Sequence, residues 1–244
     1  MPEMPLLSIV IPTLKEGGFL DRTLKNFNDL QIPHELIVSD GGSTDETLAI
    51  ARRYTDKIVV WDKPRRQTFG EAKNAGAALA QGEYLVFIDA DVIIPKPQAF
   101  FTELLAEFQK KPQVVALTVP LKVLPDYARR GDRFFMEPLN FWYFVSNNIF
   151  RYGNASGEFQ MMRATTFKTV GGYREDLLGG EDTDMFNRLS KHGRTLLYWR
   201  LSAQHTCRRP HHTGWFKLYY MWMRQGIHVL LLNHSVNEEW KVIR

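Results

Sequence analysis

Residues 87–92, FIDADV, end an apolar run with Asp89 and Asp91, two acids separated only by Ala90. Carboxylates that close repel, so a cation, a neighbouring base or water must offset them. Four further stretches carry groups of comparable reactivity. PTLKE (12–16) and SDGGSTD (39–45) set Glu16 and Asp40 just after apolar runs. GGEDTD (179–184) sets Glu181 and Asp182 behind paired glycines, and AQHTCRRP (203–210) groups His205 with Arg208 and Arg209.

The elements that must carry these residues alternate in the first half. Leu7–Ile11, Glu35–Ser39, Lys57–Trp61, Tyr84–Ile88 and Val114–Val119 read as strands. Gly17–Asn28, a segment opening at Ser43-Thr44, Thr68–Ala80 and Pro97–Lys110 read as helices, with Ser43 or Thr44 the expected cap of the second. Near-continuous apolar strands separated by helices predict a mostly parallel α/β sheet covered on both faces. Ligands of such sheets bind beyond the C-terminal strand ends, so the acids near residues 16, 40 and 89–91 are expected on one edge. After about residue 120 the pattern becomes aromatic, from Phe134 to Tyr152 and again from Trp215 to Leu232. One domain is expected over 1–244, with a ligand-binding half to about 120 and a C-terminal helical, aromatic elaboration.

Composition bounds the function. At 244 residues, 44% apolar and 24% charged, the chain has the make-up of an ordinary globular protein with a real core. A net charge of +4 suits phosphate ligands or an anionic surface but is too weak to imply nucleic acid. The lone Cys207 excludes an internal disulfide and a cysteine-based zinc cluster, and fits a reducing compartment. The start, MPEMPLLSIVIP, does not read as a secretion signal, and no apolar run approaches the roughly 20 residues of a membrane-spanning helix. A cytoplasmic protein, soluble or attached to a membrane surface, is expected.

SIVIPTLKE (8–16), VSDGGSTDET (38–47), KNAG (73–76), FIDAD (87–91) and GGEDTDMFNRL (179–189) occur in an order that resembles the family 2 glycosyltransferases of the GT-A fold. The first half resembles the lipid-phosphate mannosyltransferases, of the dolichyl-phosphate-mannose-synthase kind. The resemblance implies inverting transfer of a sugar from a nucleotide-diphosphate donor, with Mn2+ or Mg2+ as cofactor. GDP-mannose leads as donor and a UDP-sugar follows; a lipid-phosphate or a glycan is the implied acceptor.

Site residues carry over by position. Asp91 is the implied metal ligand, and Asp89 binds metal, ribose or a metal-bound water. Pro12, Thr13, Leu14 and Glu16 hold the nucleoside with Asp40 and Gly41, Glu16 at the ribose or base edge and Asp40 at a base N–H. Lys73 contacts phosphate or Asp89, and Ala90 belongs to the same donor site. Asp182 matches the catalytic base, with Glu181, Gly157 and Arg163 on the acceptor side. The chain departs from the mannosyltransferase pattern at Ile93, which replaces a glutamine and cannot ligate metal. His205 is the candidate replacement, since imidazole suits Mn2+. Arg208 and Arg209 can clamp the diphosphate with planar forked donors.

Two other classes compete. A nucleotidyltransferase needs a glycine-rich loop after the first strand, where this chain has PTLKEGG with its glycines late. A non-catalytic binder of nucleotide sugars or membrane surfaces has no need of a base at Asp182. The second aromatic stretch traces a stripe through Trp215, Leu218, Tyr219, Trp222, Gly226, Val229 and Leu230, with Arg129, Arg130, Arg133, Lys217 and Arg224 interleaved in the two stretches. Such a stripe is either packed core or a surface for peripheral contact with the cytoplasmic face of a membrane.

Overall fold

The computed structural model describes residues 4–232 and 234–236, and the side chain of Leu230 lies outside what is described. The first half runs β1 (Leu7–Thr13), α1 (Leu20–Lys25), β2 (His34–Asp40), α2 (Thr47–Ala51), β3 (Ile58–Val60), α3 (Phe69–Ala78), β4 (Tyr84–Ile88), β5 (Val92–Ile93), α4 (Pro97–Lys110) and β6 (Val114–Thr118). There follow β7 (Leu121–Val123), α5 (Asp132–Phe144), β8 (Phe159–Arg163), α6 (Ala164–Thr169), α7 (Glu181–Ser190), β9 (Arg194–Leu197), β10 (Ala203–His205), α8 (Arg208–Thr213) and α9 (Trp215–Ile227). Single π-helical turns, Val145–Ile149 and His228–Leu232, extend α5 and α9.

The main sheet has seven strands in the order β3-β2-β1-β4-β8-β6-β9, parallel except for β8. This is the mixed α/β arrangement of the GT-A fold. Side chains on the strands alternate between two layers, as a two-residue period requires. Leu7, Ile9 and Ile11 of β1 and Tyr84, Val86 and Ile88 of β4 pack with Leu20, Leu24, Phe101 and Phe108 on one face. Val10, Leu85 and Phe87 pack with Phe167, Met185 and Phe186 on the other. Each such fully buried side chain contributes about 1.5–3 kcal/mol. β8 and β9 come from beyond residue 120, so both halves of the chain build one sheet.

Two expectations need correction. Neither Ser43 nor Thr44 caps α2, which begins at Thr47 with Glu46 in the cap position and no side-chain cap bond. The Ser43 hydroxyl instead donates to Asp40 and accepts the Lys15 N–H, tying the first two strand ends together. β8 was not anticipated: FQMMR lacks β-branched residues, and pairing with β4 and β6 on both sides makes it a strand.

A close approach fixes α3. Thr68 and Glu71 form a reciprocal capping box at its start. A Cβ on Gly76 would lie 2.3 Å from Val10 Cγ1, so only glycine lets the helix seat on β1. Gly76→Ala is therefore expected to destabilise the fold. Overpacking costs about 1–3 kcal/mol, against about 1 kcal/mol regained in helix propensity. Urea unfolding should show a lower midpoint at unchanged slope; an unchanged or higher midpoint would refute the close packing.

Candidate active site

β1, β2 and β4 run parallel, so Thr13, Asp40 and Asp89 stand at one sheet edge. A cavity of about 710 Å3 opens there, walled on this side by Pro12, Thr13, Leu14, Glu16, Gly41, Asp89, Ala90 and Asp91. Asp40 is absent from the wall. Its Oδ1 accepts the Gly42 and Ser43 N–H groups at 3.0 and 2.7 Å, and its Oδ2 the Thr13 and Ser43 hydroxyls at 2.8 and 2.6 Å. A carboxylate has about four acceptor positions, so Asp40 has none left for a base N–H, contrary to expectation. It is the knot of the Gly41–Ser43 turn. A smaller cavity of about 490 Å3 adjoins through Leu14, Gly41 and Arg66, and Lys15, Lys63 and Arg65 make it basic. Between them, Gln67 presents a buried Oε1 that has no hydrogen-bond partner among the described residues.

The acid pair gains its neighbours from far along the chain. β10 pairs with β5, placing His205 opposite Val92, one residue past Asp91. The Thr206 hydroxyl and Arg208 Nε (3.1 Å) donate to Asp91 Oδ2, leaving Oδ1 outside these bonds. Burial raises the Asp91 pKa, but Arg208, His205 and these hydrogen bonds overcome it and hold the carboxyl below its usual value. Asp89 goes the other way. Its burial, together with Glu158, Asp91 and Asp182, pushes its pKa well above the ordinary range, with Lys73 the opposing charge. His205 Nδ1 lies 3.7 Å from Glu158, and its Nε2 is buried without a partner among the described residues. Arg208 Nη2 also grips both oxygens of Glu16, at 3.1 and 2.9 Å. Arg208 and Glu16, expected to face diphosphate and ribose, thus face each other. Arg209 lines the cavity beside them. Glu158 and Thr206 were not foreseen; each adjoins a residue that was, but neither belongs to a motif.

The second centre is built around Lys73. Its side chain is 2% exposed, and Nζ donates to Asp182 Oδ1 and lies 3.3 Å from Glu181 Oε1. Its ammonium also sits 4.9 Å from the centre of the Tyr173 ring. Burial works against the charge, but Asp182 and Glu181 hold the Lys73 pKa well above its usual value. The expected contact with phosphate is therefore corrected: Lys73 is enclosed by the acids of α7, with Asp89 an electrostatic neighbour. Burial and Asp182 push Glu181 up to about 7, with Lys73 opposing. Gln160 Nε2 donates to Asp182 Oδ1 at 2.7 Å. Asp182 Oδ2 accepts none of these bonds, and a Cβ on Gly157 would come within 2.8 Å of it. Gly157 thereby leaves that oxygen uncovered on its own side, while Glu181 hydrogen-bonds the same carboxylate. Arg163 does not join the site. It lies three residues beyond Gln160 along β8, roughly 10 Å away at strand rise, bonded to Val114 O (3.0 Å) and Phe108 O (3.1 Å). β8 runs antiparallel to β4, so its C-terminal end lies at the opposite sheet edge.

Much of the apolar part of the cavity wall comes from α5 and α9: Leu139, Trp142, Tyr143, Tyr219, Trp222 and Met223. The helices meet through Phe135, stacked on Trp215 at 5.3 Å, and Leu218 is fully buried. Asp132 ties the joint, accepting from Arg129 N (2.7 Å) and Trp215 Nε1 (3.0 Å) and bonding His211 Nε2 (2.9 Å). The opposite faces are open, with Phe134 73%, Phe216 80% and Phe141 59% exposed. Trp142, Tyr220, Met223 and Ile227 are exposed as well. The aromatic stretches are thus core on one side and surface on the other. No helix among the described residues is long and apolar enough to cross a membrane.

Comparison with known proteins agrees with this geometry. The model of glycosyl transferase family 2 matches residues 8–171. A validoxylamine A glucosyltransferase from Streptomyces hygroscopicus subsp. limoneus is 30% identical over 243 residues, covering 83% of this chain and 52% of that protein. The chain spans about half the length of the curated relatives it matches. Among solved structures, the mannosyltransferase PcManGT from Pyrobaculum calidifontis, in complex with GDP-Man and Mn2+, superposes with a TM-score of 0.70 at 18% identity, over 93% of this chain and 63% of that one. Glucosyl-3-phosphoglycerate synthase from Mycobacterium tuberculosis, in complex with Mg2+ and UDP, gives 0.61 at 22% identity, over 93% and 79%. At these identities the two structures share the fold. With the family model matching residues 8–171 and a relative 30% identical over 83% of this chain, the chain belongs to glycosyl transferase family 2.

Proposed function

We propose that the protein is an inverting, metal-dependent hexosyltransferase acting from a nucleoside-diphosphate sugar. One observation carries this reading: Asp182, with one oxygen pinned and the other uncovered, shares a cavity with Asp89, Asp91 and the unpartnered Nε2 of His205. Asp89, Asp91 through Oδ1 and His205 through Nε2 offer donors of the kind Mn2+ or Mg2+ takes, a hard oxygen pair with one imidazole. They would have to draw together to hold it, since among the described residues only Asp132, Cys207 and His211 already converge within 4.8 Å. When bound, such a cation neutralises the negative charge that develops on the diphosphate leaving group. The complexes of the two fold relatives support this class of cofactor.

Pro12, Thr13, Leu14, Gly41 and Ala90 wall the donor, whose nucleoside end reaches the smaller basic cavity. Gln67 Oε1 accepts the base N–H in place of Asp40. Arg208 and Arg209 supply positive charge beside the diphosphate. Asp182 Oδ2 takes the proton of the acceptor hydroxyl as that oxygen attacks the anomeric carbon opposite the leaving group. Trp142, Tyr143, Tyr219 and Trp222 keep this side of the cavity apolar and poor in water. The likeness of the first half to lipid-phosphate mannosyltransferases favours GDP-mannose. The name of the glucosyltransferase relative and the UDP-bound fold relative favour UDP-glucose.

The acceptor is lipid-linked, a lipid-phosphate or a glycan carried on lipid, and the protein docks peripherally at the cytoplasmic membrane face. Support comes from the open apolar faces of α5 and α9, which continue into the cavity and bear the exposed cations Arg130, Arg133, Lys217 and Arg224. Trp and Tyr favour the headgroup zone, and Lys and Arg are drawn to anionic lipid.

This reading generates four predictions. In titrations with GDP-mannose and UDP-glucose, one donor should bind in an Mn2+-dependent manner, and Asp91→Ala should abolish the metal dependence. Asp182→Asn should keep that affinity while transfer falls about 10²–10⁴-fold; transfer at the wild-type rate excludes Asp182 as the base. Liposome flotation should show binding that grows with anionic lipid and falls with salt; no binding at low salt defeats the membrane reading. The fourth concerns Glu181, raised from 4.5 to about 7. Between these values the folded protein keeps a proton that the unfolded chain has lost. Its contribution is complete below pH 4.5 and lost as pH rises through 7. Melting temperatures from pH 5 to 8 should therefore fall more steeply for the wild type than for Glu181→Gln, and parallel curves would reject a protonated Glu181.

A further inference from the structure

Gln160 is fully buried on β8, and its side-chain amide has only one workable orientation. Nε2 donates to Asp182 Oδ1 at 2.7 Å and to Ser156 O at 2.9 Å, and Oε1 accepts from the Tyr173 hydroxyl. A flipped amide would turn its oxygen towards a carboxylate and a carbonyl, and its NH2 towards a hydroxyl held by nothing else. Tyr173 is itself fixed. Its ring packs edge-on against Phe87 at 5.1 Å, and its backbone N–H and C=O bond the side-chain amide of Asn74 at 2.8 and 2.9 Å. Burial raises the Tyr173 pKa, which keeps the hydroxyl a donor. Asn74 adjoins Lys73 on α3, and Lys73 holds the same Asp182 oxygen. The polar chain therefore closes into a ring: α3, Tyr173, Gln160, Asp182 and back to α3.

We propose that Gln160, aimed by Tyr173, is a positioning residue for the catalytic carboxylate. It fixes the plane of Asp182, so that Oδ1 stays with its two donors and Oδ2 stays turned to the uncovered side at Gly157. Lys73 alone supplies charge but not plane, because an ammonium is a point donor free to follow a rotating carboxylate. The amide adds a second, directional bond, and misplacement of a reacting group by about 1 Å can lower a rate about 10²-fold. This inference rests on Asp182 being the base.

The test measures Mn2+-dependent hydrolysis of GDP-mannose or UDP-glucose, whichever donor binds, with water as acceptor and nucleoside diphosphate release as readout. Gln160→Leu should lower kcat about 10–100-fold with the donor KM unchanged. Tyr173→Phe, which removes one hydroxyl, should lower it in the same sense by less, and it serves if Gln160→Leu does not fold. In an Asp182→Asn background, the loss at Gln160 or Tyr173 should disappear, since no base remains to be aimed. An undiminished loss in that background, a rise in KM with kcat preserved, or wild-type kcat in either folded variant overturns the proposal. Asp182→Asn alone reports separately on the base: if it hydrolyses donor at the wild-type rate, the reading of Asp182 itself has failed.

Discussion

A single buried ammonium holds the reactive end of this molecule together. Lys73 faces Asp182 and Glu181 directly, with Asp89 near enough to feel its charge. Without it, carboxylates would confront one another at low dielectric, and breaking such a pair from one side costs about 3–5 kcal/mol. The geometry that lets Lys73 reach them begins in small residues. Ala72 and Gly76 keep α3 close to the sheet, and the capping box at Thr68 sets where the helix starts. From that position Lys73 reaches Asp182, and Asn74 reaches the backbone of Tyr173.

A second cation organises the donor side. Arg208 bridges Glu16 of the first loop to Asp91 of the acid pair, across 192 and 117 residues of chain. The two acids of FIDAD consequently live in opposite fields. Asp91 is kept ionised beside Arg208, while Asp89 is driven towards its neutral form by burial and by other acids. Two carboxylates whose environments push them apart are a recurring mark of chemical division of labour. Here the division depends on the short β5-β10-β7 sheet, which returns the C-terminal part of the chain to the edge of the main one.

The aromatic half serves two purposes with one pair of helices. The inner faces of α5 and α9 bind each other through Phe135, Trp215 and Tyr219, and their outer faces remain apolar and open. Phe134, Phe141, Phe216 and Tyr220 are exposed on them. This exposed apolar surface adjoins the cavity through Trp142 and Met223.

The alternation of strand and helix was legible because buried parallel strands must be apolar throughout, and a run such as YLVFI can hide nowhere else. Acids placed just after such runs had to meet at one edge, and they did. The direction and commitment of individual side chains were not legible. Asp40 looks like a ligand from its motif, yet three donors within its own turn and the Thr13 hydroxyl of β1 consume it. Lys73 reads as a helix lysine until the packing of α3 buries it among acids. Arg163 has the right neighbours in sequence, but antiparallel β8 carries it to the wrong edge. Glu158, Gln160 and Thr206 carry no motif and become part of the site only because distant strands pair beside them. Local periodicity records which face of an element is apolar, so the sequence by itself determined the layers and the edge. Which groups are partnered there depends on contacts across more than a hundred residues, and only the folded chain decides those.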